Sequence, residues 1–70
     1  MADVEELRER LQTIAEELAD RAIDVLREAV DRGETARPAL ERRLTRARAA
    51  VERAVAQLSS DDAAPAPADD

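Results

Sequence analysis

The stretch "RGETARPAL", residues 32–40, decides how this chain is arranged. Gly33 is the one glycine in 70 residues, and glycine takes the left-handed conformation that closes a helix without strain. Five residues on, Pro38 has the fixed φ that suits the first turn of a helix, where its missing N–H is not needed. A helix that stops at Gly33 and another that begins at Pro38 leave only "GETAR" between them. So short a connection turns the chain back on itself and favours antiparallel packing. Either Thr35 or Arg37 would serve as the N-cap of the second helix.

Upstream, "DVEE" at residues 3–6 places Asp3 three residues before Glu6, the spacing of a capping box. From that cap runs an apolar stripe at intervals of three and four: Val4, Leu7, Leu11, Ile14, Leu18, Ala22, Val25 and Ala29. Nothing interrupts a helix over residues 3–32. Glu6–Arg10, Glu17–Arg21 and Glu28–Arg32 are spaced i, i+4, a spacing worth a few tenths of a kcal/mol per pair, roughly 0.2–0.5.

Downstream, a helix over residues 38–58 carries Leu40, Leu44, Ala47, Val51, Ala54 and Leu58, an a/d heptad seam with alanine in two layers. Then "SSDDAAPAPADD", residues 59–70, brings two prolines, four aspartates and no large apolar side chain, the composition of a disordered acidic tail. The fold class read here is all-α. An antiparallel two-helix hairpin (residues 1–58, with the turn at 33–37) is followed by a disordered tail, and two hairpins dimerise into a four-helix bundle.

Composition removes whole classes of chemistry. With no Cys and no His, there are no disulfides, no zinc-finger spacing, no thiol nucleophile and no imidazole acid–base group. Without Trp, Tyr or Phe there is no base stacking and no aromatic anchor. The carboxylates sit on helix surfaces, whereas catalytic use needs a sheltered pocket that shifts their pKa values. No enzyme activity, cofactor or metal is expected. The acidic N-terminus has no apolar core of signal-peptide length and no window reaches membrane-span length, so the expectation is a cytoplasmic protein with no membrane contact.

Charge is divided between the helices. Residues 3–32 hold ten acidic residues and five arginines, a net of −5; residues 37–53 hold six arginines and two glutamates, a net of +4. The simplest use of the arginines is to pair with the acids of the first helix and to solvate their own. The alternative is phosphate contact through Arg42, Arg43, Arg46 and Arg53. A formal net charge of −6 and the lack of aromatic or Asn side chains for reading bases argue against nucleic acid as a partner.

The helices are unequal in length. At about 1.5 Å per residue, a hairpin folded at Gly33 covers the first helix back to about residue 12, leaving Val4, Leu7 and Leu11 uncovered. A second row, Ala19, Ile23, Leu26 and Val30, runs beside the main stripe in the latter half of that helix. The expected interface therefore comprises Val4, Leu7, Leu11, Ile23 and Val30. Its expected occupant is a second copy of the chain, with a larger protein served by this accessory subunit as the alternative.

"ELADRAIDVLREAV" followed by "ERRLTRARAAVERAVAQL" resembles small helical-hairpin proteins of high-GC actinobacteria, over residues 3–58. That resemblance implies the hairpin and carries no activity. As a short acidic helical protein the chain is also similar to the small subunit of bacterial exonuclease VII, although that family's longer helical pattern and its leucine–glutamate–glutamate openings are not matched. "ELRERL" is similar to the opening of all-helical chorismate mutases, which are longer and place a Lys among their catalytic cations; this sequence contains no Lys.

Overall fold

The computed structural model describes residues 3–59. Among them the chain is all-helical, with α1 at Val4–Asp31 and α2 at Ala39–Ser59 packed against each other. Leu44 lies beside Leu18 and Asp24, and Val55 lies beside Gln12 and Glu16. Sequence numbers therefore rise along one helix as they fall along the other, which is the antiparallel arrangement that the short turn requires.

Local chemistry fixes each end. Asp3 is extended, and its carboxylate accepts the Glu6 N–H at 2.8 Å, one half of the capping box. At the other end of α1, Gly33 has φ +81. Its N–H reaches the Val30 carbonyl at 2.9 Å, and the Glu34 N–H reaches the Ala29 carbonyl at 3.0 Å. These two bonds form a Schellman closure around a left-handed glycine. Pro38 precedes the first residue of α2, and its carbonyl accepts the Arg42 N–H at 3.2 Å. Ser59, assigned above to the tail, is instead the last residue of α2, where its hydroxyl donates to the Val55 carbonyl at 2.8 Å. The disordered tail expected from residue 60 onward lies outside the described residues.

The seam between the helices differs from the expected one. Its centre on α1 is Ala15, Ala22 and Ala29, one residue in every seven, and these are the buried apolar side chains. Leu11, Leu18 and Val25 flank them, half-buried. On α2 the seam holds buried Glu41 and half-buried Leu44, Val51, Ala54, Val55 and Leu58. Among the described residues no large side chain is fully buried. Ile14 and Leu40, read as seam positions from their spacing, each remain 44% exposed, while Val4 and Leu7, expected to lie beyond the reach of the second helix, are 54% and 40% exposed. Ala47 is exposed as well. The physical reason is steric. A row of alanines has no bulk beyond Cβ, so α2 settles along it, and the neighbouring row of Leu and Ile is rotated to one side of the hairpin.

Candidate interaction surface

That rotation gives the hairpin two unlike faces. On one, Ile14 and Leu18 of α1 and Leu44 of α2 line a shared open groove, rimmed by Glu17, Asp20, Arg21 and Asp24. Helical spacing extends this face in both directions. Leu7 lies seven residues before Ile14 and Val25 lies seven residues after Leu18, while Leu40, Val51 and Leu58 continue the row of Leu44. Ala47 and Ala54 add small apolar side chains along α2. The result is an apolar strip that crosses both helices and runs their length.

The other face is apolar mainly on α1. Ala19, Ala22, Ile23 and Leu26 line a groove whose opposite wall is polar, formed by Glu41, Thr45 and Arg48. Farther along, Gln12, Ala15 and Glu16 face Arg48, Glu52 and Val55. The polar wall is anchored at Glu41, which accepts the Arg37 Nε–H at 2.7 Å and the Thr45 hydroxyl at 3.1 Å. The hydrogen bond from Arg37 holds the Glu41 carboxyl below the usual carboxylate range; burial opposes this and the Thr45 hydroxyl reinforces it. The same bond raises the Arg37 pKa. This cluster ties the turn to the first two turns of α2.

Charged side chains pair locally. Arg8 pairs with Glu5, Arg32 with Glu34 at 2.9 Å, Arg37 with Glu41, and Arg48 with Glu52 at 3.0 Å. Among the described residues no ion pair crosses from α1 to α2, which corrects the expectation that the arginines of α2 neutralise the acids of α1 within one chain. Nor do Glu6–Arg10, Glu17–Arg21 and Glu28–Arg32 close; Arg32 turns instead to Glu34 in the connection. The pairs exposed on both sides, Arg32–Glu34 and Arg48–Glu52, contribute little, because solvent screens the attraction and the entropy of two long side chains offsets it.

The residues singled out in the sequence fall as follows. Leu7 is on the two-helix apolar face and Val4 is exposed one turn before it, while Leu11, expected to be uncovered, is half-buried at the seam, one residue beyond the limit that the length of α2 suggested. Ile23 lines the opposite groove, and Val30 continues its row, 63% exposed. Ile14 and Leu40, absent from the expected interface, are among the exposed large side chains of the two-helix face. Their signal was the width of the apolar arc on each helix, wider than a single neighbour needs. Arg42, Arg43, Arg46 and Arg53 are all exposed on the outer side of α2, and Arg42 donates to the Arg37 carbonyl at 2.9 Å. Among the described residues no group of His, Cys, Asp and Glu could hold a metal ion, and no helix is long and apolar enough to cross a membrane.

No protein-family model, curated protein or solved structure matches the chain.

Proposed function

We propose that the protein is a non-enzymatic protein–protein interaction module that self-associates through its two-helix apolar face, giving a homodimeric four-helix bundle. The observation that carries this reading is the phase of the seam. A hairpin that functioned alone would gain by turning Ile14 and Leu40 inward; this one centres on alanines and Glu41 and leaves Leu7, Ile14 and Leu40 half-covered on the one face that both helices share. Helices of a four-helix bundle need an apolar arc broad enough for two neighbours, and each helix here has such an arc. Association would complete a core that the single chain lacks.

Sedimentation equilibrium and thermal melts test the reading together. A dimer that completes the core has a melting temperature that rises with protein concentration, because association and folding are coupled by mass action. A well-folded monomer at tens of micromolar with a concentration-independent melt would overturn it.

A further inference from the structure

Resting on the self-association proposed above, we infer how the two copies are oriented: α1 of each hairpin lies against α2 of the other, with the two-fold axis parallel to the helices and both turns at the same end of the bundle. Two face-to-face arrangements of the apolar strip have two-fold symmetry. An axis across the helices sets α1 on α1 and α2 on α2, with the turns at opposite ends. An axis along the helices sets α1 on α2 of the partner copy, with the turns together.

Charge decides between them. Beyond the apolar strip, the outer side of α2 presents Arg43, Arg46 and Arg53, and no acidic side chain lies between them on that side. Stacking α2 on α2 would bring this arginine rim against itself. The corresponding rim of α1 carries Glu17, Asp20 and Asp24 with Arg21. Among the described residues of one chain, none of these three carboxylates and none of these three arginines has an ion partner, although all six are exposed. Setting α1 against α2 of the partner brings the two unsatisfied rims together, with opposite charges facing.

Levels along the bundle agree as well. In one chain Leu44 stands beside Leu18, Arg21 and Asp24. Rotation about an axis parallel to the helices preserves height, so Leu44 of the partner stands at that same level. Arg43 and Arg46, either side of Leu44 in sequence, then come level with Asp24, Asp20 and Glu17. The small side chains Ala47 and Ala54 let α2 approach the facing groove closely.

The chain has no cysteine, so Thr35→Cys in the exposed turn supplies a single attachment point for a spin label. Double electron–electron resonance on the labelled full chain then reads the distance between the two turns. Turns at one end belong to layers about 10 Å apart, so their backbones are separated by roughly 10–15 Å, whereas turns at opposite ends are separated by at least about 30 Å, the length of α2. With linkers of ordinary label length, a main distance below about 30 Å supports the arrangement, and a longer one overturns it. Ala36→Cys repeats the measurement from the neighbouring position should the first label disturb the turn. If sedimentation shows a dimer and the distance is long, the orientation alone fails. If sedimentation shows a monomer, the self-association reading fails and the orientation falls with it.

Discussion

Ile14→Asp and Ile23→Asp make a matched comparison, because the same residue type occupies two faces of one helix at nearly the same exposure, 44% and 48%. Full burial of such a side chain is worth about 1.5–3 kcal/mol. With 44% of Ile14 still uncovered in the single chain, a second copy covering the remainder would add about 1 kcal/mol, and two-fold symmetry doubles this to about 2 kcal/mol per dimer. Aspartate forfeits that gain and desolvates two carboxylates, each costing at least the roughly 1–3 kcal/mol of a neutral polar group. The combined loss is at least about 4 kcal/mol, on the order of a thousandfold or more in the dimer dissociation constant. Ile23→Asp places the same charge on the opposite groove and should leave that constant within about threefold of the parent. Both substitutions put Asp in the middle of α1, so their intrinsic helix penalty is the same and cancels in the comparison. Sedimentation equilibrium over a range of loading concentrations, with circular dichroism to confirm helicity, reads the outcome. An Ile14→Asp protein that remains as dimeric as the parent, or an Ile23→Asp protein that dissociates equally, would refute the assignment of the apolar face.

Three further outcomes follow from the geometry. Glu41 has a folded pKa below its ordinary value of 4.5, so its bond with Arg37 contributes fully above that value and is lost as pH falls through the lowered one; Glu41→Gln should therefore melt with a shallower acid dependence below about pH 4.5 than the parent, and an unchanged profile would show that the Arg37–Glu41 bond contributes nothing. Gly33→Ala forces a side chain into φ +81, where a Cβ meets no atom within 4 Å, so the cost is conformational alone, about 1–2 kcal/mol in thermal melts at fixed concentration, with Gly33→Asn costing less. Duplex DNA and single-stranded RNA at near-physiological salt should bind more weakly than about 10⁻⁴ M in fluorescence titrations, and micromolar binding that disappears when Arg42, Arg43 and Arg46 become Gln would reassign the arginine rim to phosphate.

Much of this fold could be read from the chain because its decisive residues have backbone chemistry of their own. Gly33 closes α1 in the left-handed conformation, and Asp3 caps its start, each as spacing indicates. The phase of the seam is another matter. Periodicity shows which arc of a helix is apolar, but Ile14 and Ala15 are neighbours within one broad arc. Which of them meets the other helix of the hairpin depends on how closely two backbones can approach, a property of both helices at once. The burial of Glu41 was equally hidden. It requires a guanidinium from the connection and a hydroxyl one turn ahead, and neither has meaning until the turn is built. The charge asymmetry of the helices was plain, yet its use was not: local partners captured Arg32, Arg37 and Arg48 before any acid across the seam could.

The alanine row has an effect on how the protein can change over generations. In an ordinary core, the typical injury is a lost methylene and the cavity it leaves. Ala15, Ala22 and Ala29 have almost nothing to lose, and their buried positions have almost no room to gain. A single base change in an alanine codon gives Gly, Ser, Thr, Val, Pro, Asp or Glu, and all but glycine add atoms. At these three positions, mutational injury comes by wedging two backbones apart, at about 1–3 kcal/mol for ordinary overpacking. Repair has to come from the facing helix, where trimming Leu44, Val51 or Val55 would restore the clearance. Drift along this seam is therefore expected to proceed in compensating pairs, one helix growing as the other shrinks.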